Sequence, residues 1–194
     1  MKIILGSSSS GRKKVMEELG LDFEVMSPDI DEKIIRKDSP KELVMAIAQA
    51  KADTLVSKIK EPSLLIVSDQ VVLFKGKIRE KPIDENEAKK FLLSYAHAPA
   101  ETLGAVVVVD TETGKRVSGF QTAKVYFKLL PSIVIDRHIE SGAALKGAGG
   151  FLLQDPLLKP YIDHIEGSID SAAGLSKDLL KKLIKEINRD NIFK

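Results

Sequence analysis

A mixed-sheet α/β architecture is what this 194-residue chain predicts, on three observations. Helical apolar periodicity alternates with short β-rich runs, the pattern of helices laid against a sheet. Ser63-Leu64-Leu65-Ile66-Val67 is apolar on both faces, as a central strand is. Val106–Val109 and the alternating Lys124-Val125-Tyr126-Phe127 flank a turn at Thr111-Glu112-Thr113-Gly114 and read as a long hairpin.

The first strand is Ile3-Ile4-Leu5. It runs into Gly6, the serines Ser7 to Ser10 and Gly11, then into the cations Arg12, Lys13 and Lys14, which begin a helix marked by Val15, Met16 and Leu19. Gly20 ends that helix, and Leu21, Phe23 and Val25 alternate with polar neighbours as a half-buried strand does. Beyond the acidic loop Pro28-Asp29-Ile30-Asp31-Glu32, Ser39-Pro40-Lys41-Glu42 combines a capping box with proline at the first helical position, predicting a helix to about Lys58. The central strand delivers Ser68-Asp69-Gln70 before Val71-Val72-Leu73-Phe74 resumes, and Lys75-Gly76 turns the chain. Asp84 and Glu87 cap a third helix with the inner stripe Ala88, Phe91, Leu92 and Tyr95. After the hairpin, Ser132 to Ser141 forms a short helix stopped by Gly142. Gly147-Ala148-Gly149-Gly150 then marks a close backbone approach, and Leu179, Leu180, Leu183, Ile184 and Ile187 stripe a final helix from about Lys177 to Asn188.

Thirty basic residues against 28 acidic leave a net charge of +2, too balanced for a protein that wraps polymeric nucleic acid by charge. The absence of cysteine excludes disulfides, thiol nucleophiles and thiolate metal sites, and agrees with a reducing compartment. No signal-peptide pattern and no run of membrane-spanning length is present, so the chain reads as cytoplasmic with no membrane partner. Its length suits one large domain or two small lobes around a shared cleft.

Cations in the first turn of a helix oppose its dipole unless an anion sits among them. With serine hydroxyls ahead of them they read as a phosphate cradle, of neither Walker nor G-x-G-x-x-G spacing, or else as a solvated serine-rich turn. Asp69 lies at the end of, or inside, an apolar strand, where a carboxylate serves as general base or metal ligand, or caps a turn. Lys51 falls on the inward stripe of the second helix with Val44, Ile47, Ala48 and Leu55, so it snorkels to the edge or meets an anion. Pro82 keeps Lys81 extended. Asp31 and Glu32 with Asp69 supply oxygens for a hard cation, or the first two form a solvated loop. His97, His138 and His164 have no metal-ligand spacing and read as ordinary surface or loop residues. Cations around carboxylates are the parts for metal-assisted attack on a phosphoanhydride. With no cysteine and no Ser-His-Asp order, direct attack by water is favoured over a covalent intermediate.

Taken in order, these segments resemble the Maf family of nucleoside triphosphate pyrophosphatases, related in fold and chemistry to the inosine triphosphatase enzymes. Leu5-Gly6-Ser7-Ser8-Ser9-Ser10-Gly11-Arg12-Lys13 is similar to the family's opening L-A-S-x-S-P-x-R-R. Asp29-Ile30-Asp31-Glu32, Ala48-Gln49-Ala50-Lys51-Ala52, Ser68-Asp69-Gln70-Val71, Lys81-Pro82, Ala148-Gly149-Gly150-Phe151 through Gln154, Gly167-Ser168 and Gly174-Leu175 follow in the family's order.

The resemblance implies one Maf-like domain over residues 1–194: a mixed, strongly twisted sheet flanked by helices, with two lobes around a central nucleotide cleft. It also implies hydrolysis of a nucleoside triphosphate between its α- and β-phosphates, a Mg²⁺ or Mn²⁺ cofactor and a homodimer. Asp69 matches the water-activating acid and Glu32 a second catalytic acid, the two also being the metal positions. Ser7, Arg12, Lys13, Lys51 and Lys81 match phosphate-contacting positions, and Gly11, Gln70 and Gln154 match those associated with base choice. Ser68-Asp69-Gln70 resembles the branch acting on 7-methyl-GTP, Gln154 the branch acting on dTTP and UTP, and Gly11 lacks the large side chain of either. Ser10, Lys13, Glu80 and Ser176 depart from the family's proline, arginine, glycine and proline. Those departures frame the alternative expectation, a nucleotide-binding regulator of the cell-division or septum-formation inhibitor type with weak turnover.

Overall fold

The apolar run that begins at Ser63 does not stop at the acid: in a computed structural model describing residues 1–193, it continues as one strand to Phe74. The strands are β1 (Lys2–Leu5), β2 (Glu24–Val25), β3 (Ser63–Phe74), β4 (Lys77–Arg79), β5 (Ala100–Asp110), β6 (Arg116–Phe127) and β7 (Ile162–Glu166). The helices are α1 (Ser10–Glu18), α2 (Pro40–Val56), α3 (Glu85–Ser94), α4 (Ser132–Glu140), α5 (Ile169–Ala173) and α6 (Lys177–Glu186). The sheet order is β2-β1-β3-β5-β6-β7, with β4 paired to β3. β1 runs parallel to β2 and β3, while β3 with β4 and β6 with β7 are antiparallel, so the sheet is mixed as expected.

Local chemistry sets the helix boundaries. The Ser39 hydroxyl accepts from the Glu42 N–H at 3.1 Å with Pro40 opening α2. At α3 the capping is reciprocal: Asp84 accepts from Glu87 N–H at 2.7 Å, and the Glu87 carboxylate accepts from Ile83 N–H at 2.8 Å. Gly20 stands past the end of α1 with φ +69. The strand expected over 21–26 shrinks to Glu24–Val25, because Leu21 is buried beyond the C-terminus of α1 rather than paired in the sheet. β4, β7 and α5 are additions to the sequence-based elements.

By packing, the chain forms two units. The first holds residues 1–69, 104–121 and 174–194; the second holds 70–103 and 122–173. The core of the first joins Ile3 and Leu5 of β1, Val15 and Met16 of α1, Leu64 and Ile66 of β3, Val106 and Val108 of β5, and Leu180, Leu183 and Ile184 of α6. The core of the second gathers Val72, Leu92, Tyr95, Val125, Phe127, Ile135 and Phe151. Tyr95 stands edge-on to Phe151 with centroids 5.6 Å apart. No helix among the described residues is long and apolar enough to cross a membrane.

Candidate functional site

The chemistry of the first unit is built on a buried cation. Lys51 lies on the inward face of α2 and is 6% exposed, so it does not snorkel: its ammonium donates to Asp69 Oδ1 at 2.7 Å and pairs with Glu32 Oε1 at 2.8 Å. Asp69 sits inside β3, 5% exposed, and carries no turn. Burial pushes its carboxyl up from the ordinary value. The charge and hydrogen bond of Lys51 and the charge of Arg12 pull it down, and Glu32 adds a small upward push. Oδ2 of Asp69 has no hydrogen-bond partner among the described residues.

Glu32 arrives from the acidic loop, on a single 3-10 turn over Glu32–Ile34 that Asp31 caps by accepting from Lys33 N–H at 3.0 Å. Asp31 is thereby a local cap. Among the described residues no group of three or more acidic or histidine side chains gathers as a metal cage, so the expected trio with Asp69 reduces to Glu32 and Asp69. The pair fits a small hard cation all the same, since Mg²⁺ takes one or two carboxylates from a protein and completes its shell with water and phosphate oxygens.

Arg12 enters from the first turn of α1, which holds no acid. Its Nη1 donates to the Ser7 hydroxyl at 3.1 Å and its Nε to the Gly174 carbonyl at 3.1 Å. Burial lowers its guanidinium from the ordinary value, and the charges of Asp69 and then Glu32 oppose that. Ser7 is buried and also accepts from Ser9 N–H at 3.2 Å, so the turn after β1 is tied to the guanidinium. One residue earlier, a Cβ on Gly6 would meet Leu55 Cδ1 at 2.6 Å and Val67 Cγ2 at 2.8 Å, so those side chains would have to shift to admit one. Gly11 is buried in α1, and Lys13 follows half-buried.

Thus Ser7, Arg12, Glu32, Lys51 and Asp69 are linked by hydrogen bonds, ion pairs and mutual charge. Gln70, Lys81 and Gln154 belong to the second unit. Gln70 Nε2 donates to the Ala172 carbonyl at 3.2 Å, while its buried Oε1 lacks a partner among the described residues. Lys81 and Gln154 are exposed.

One buried histidine escaped the sequence reading. His138 is not a surface residue; it is fully buried on α4, its Nδ1 3.0 Å from Asp155 Oδ2 and its Nε2 3.0 Å from the Gly150 carbonyl. A carbonyl only accepts, so Nε2 carries a proton, and the shared proton at Nδ1 makes the pair either imidazolium with carboxylate or neutral with neutral. The same glycine turn is held by Tyr95, whose hydroxyl donates to the Gly149 carbonyl at 2.8 Å. A Cβ on Gly147 would fall 2.1 Å from the Phe151 carbonyl oxygen. His138 follows Ile135 and precedes Ile139, so its place on the inward stripe was the signal available in the sequence.

A model of the Maf-like protein family matches residues 2–187. The chain is 41% identical to the 7-methyl-GTP pyrophosphatase of Dictyostelium discoideum over 96% of this chain and 98% of that protein. It is 35% identical to the dTTP/UTP pyrophosphatase of Desulforamulus reducens over 89% and 90% of the two chains. Among solved structures, the Staphylococcus aureus Ham1 protein is 12% identical with a TM-score of 0.45, covering 99% of this chain and 95% of that one, a similarity too low to argue from.

Proposed function

The chain belongs to the Maf family, and from that premise we propose that it is a nucleotide pyrophosphatase that hydrolyses a nucleoside triphosphate to the monophosphate and pyrophosphate. The observation that carries the reading is the group of Asp69, Lys51, Glu32 and Arg12: a buried carboxylate made more basic by burial, bridged to a second acid and facing cationic charge.

Asp69 acts as the general base. Oδ1 is engaged by Lys51, which leaves Oδ2 to take the proton from the attacking water. An upward-pushed carboxyl is a better proton acceptor than an exposed aspartate, while the charge and hydrogen bond of Lys51 favour its ionised form. Arg12 offers the planar donors suited to phosphate oxygens. Ser7 fixes that guanidinium and keeps its own hydroxyl proton for a phosphate oxygen, while Lys13 supplies further positive charge. Glu32 and Asp69 would hold a divalent cation, Mg²⁺ or Mn²⁺, which when bound neutralises the phosphate oxygens.

Base choice falls to Gly11, Gln70 and Gln154 in this reading. With Nε2 of Gln70 committed to Ala172, Oε1 is an acceptor, suited to an N–H of the base. The 41% relative favours 7-methyl-GTP as the first substrate to test, ahead of dTTP and UTP. A cytoplasmic homodimer without membrane or polymeric nucleic-acid partners completes the proposal.

The test is a nucleotide panel with Mg²⁺ or Mn²⁺ in ¹⁸O-labelled water, assayed for pyrophosphate and monophosphate. Attack at the α-phosphorus puts the label in the monophosphate. Asp69→Asn should fold and lose about 100-fold or more in kcat. Release of orthophosphate alone, or an Asp69→Asn enzyme at the wild-type rate, overturns the assignment.

A further inference from the structure

We propose that Ser68 and Gly174 are positioning residues that hold the Arg12 guanidinium ready for phosphate, an inference that rests on the pyrophosphatase reading above. The Gly174 carbonyl oxygen accepts twice, from Arg12 Nε at 3.1 Å and from the Ser68 hydroxyl at 2.8 Å. Ser68 is fully buried on β3, immediately before Asp69. Its single proton is spent on that carbonyl, so it is neither nucleophile nor acid.

The carbonyl is itself held in place. Gly174 has φ +106, where L side chains are strained, and a Cβ there would meet Arg12 Nε at 3.1 Å and Nη2 at 3.5 Å. Leu175 next to it is fully buried in the core of the first unit. Ser176 N–H donates to Gln121 Oε1 at 2.6 Å, and its hydroxyl accepts from Leu179 N–H at 3.3 Å at the start of α6. Residues 174–176 therefore form a fixed strut, with the glycine removing the side chain that would displace the arginine.

The guanidinium is gripped on two edges, by Gly174 at Nε and by Ser7 at Nη1. A guanidinium carries five N–H donors in one plane. The donors of Nη2 and the second donor of Nη1 have no partner among the described residues, and they point as a fork whose orientation the two grips set. An arginine held this way loses little freedom when it meets a phosphate, which is the advantage of preorganisation. Ser68 supplies it at one remove, by restraining the acceptor that restrains Nε.

The experiment is a double-mutant cycle on triphosphate hydrolysis with Ser68→Ala, Arg12→Ala and the pair, all shown folded by thermal unfolding, with Ser68→Thr as the hydroxyl-retaining control. Ser68→Ala should lower kcat/KM by about tenfold in the wild-type background and have no further effect with Arg12→Ala. Ser68→Thr should recover most of the rate. The Arg12 Nε–H resonance should exchange slowly in the wild type and lose that protection in Ser68→Ala. Equal losses from Ser68→Ala in both backgrounds, or a wild-type rate for Ser68→Ala beside a crippled Arg12→Ala, overturn the positioning role alone. An Arg12→Ala enzyme at the wild-type rate overturns the phosphate reading and the positioning role together.

Discussion

Replacing Lys51 by methionine keeps an unbranched apolar stem, one atom shorter, and removes the charge, which leaves Asp69 buried without its hydrogen-bonding cation. Glu32, whose side chain is 48% exposed, returns to water at little cost. Asp69, 5% exposed, has only two responses: remain ionised without its main partner, or take up a proton. Protonation bounds the damage. Holding an aspartate neutral at pH 7 against an unfolded value of about 3.9 costs about 1.4 × 3.1, or about 4 kcal/mol. The wild type already carries part of that cost, because burial has raised its folded value, so the variant should lose stability at pH 7 by less than about 4 kcal/mol. The sign follows from proton counting. A native state that binds a proton the unfolded chain has released is weakened as pH rises. The deficit should therefore shrink by about 1.4 kcal/mol per pH unit on acidification between the variant's folded value and the wild type's, and vanish below the latter. Urea unfolding of both proteins across a pH series measures it. A deficit that does not change with pH would show that Lys51 acts by packing, and the account of the ion pair would be wrong.

Replacing both charges by apolar groups, Lys51→Met with Asp69→Leu, should restore stability to within about 1 kcal/mol of wild type or better while abolishing turnover, as urea midpoints and a pyrophosphate assay would register. His138→Ala should cost about 3–5 kcal/mol, since it strands Asp155 and the Gly150 carbonyl in a buried site; a loss under about 1 kcal/mol by the same method would mean the pair is not formed. Burial raises the Asp110 carboxyl, but the hydrogen bonds from Arg189 and from the Glu112 and Thr113 N–H groups outweigh it, so the folded value lies below the unfolded one. Its contribution is present above an unfolded value of about 3.9 and is lost as pH falls through the folded value, so Arg189→Ala should lower stability near neutrality and progressively less in acid. A constant loss down to pH 2 in thermal unfolding would count against it.

What the sequence made legible is what short-range chemistry decides. The caps at Ser39 and Asp84 and the positive-φ glycine after α1 are settled within a few residues, and those boundaries stand where the spacing predicts them. The long hairpin and the central strand were legible because a fully buried strand is apolar on both faces. The short pieces were not. β4 spans Lys77–Arg79, and β7 reads Ile-Asp-His-Ile-Glu with exposed acids; neither exists without the longer strand that each pairs. Within the site, periodicity brought Lys51 to the right face of α2 but left open whether it snorkels or meets an anion. Its partners are 18 residues away on a strand and, before it in the chain, on a loop turn, a closure no local pattern contains. The Gly174 carbonyl that holds Arg12 is farther still, 162 residues along the chain, and a backbone acceptor leaves no mark on residue type beyond the glycine itself.

These distances bear on why the charges are there. A core such as the one around β3, buried residue by residue from Ser63 to Asp69, would be at least as stable with apolar side chains in place of both Asp69 and Lys51, because taking two charges out of water offsets most of their attraction. Lys51 does not make Asp69 a stability element; it favours the ionised form of a costly carboxylate that burial alone pushes toward the neutral one. Arg12 contributes in the same direction, and the chain keeps it there with a glycine at a φ that other residues rarely adopt and a fully buried serine, two further residues that a core built for stability alone would not select. Each of these costs falls within the first unit, and together they leave one basic oxygen on Asp69 and a set of uncommitted donors on Arg12. A proton acceptor and an oxyanion clamp, both fixed before substrate arrives, are what water attack on a phosphoanhydride demands of a protein.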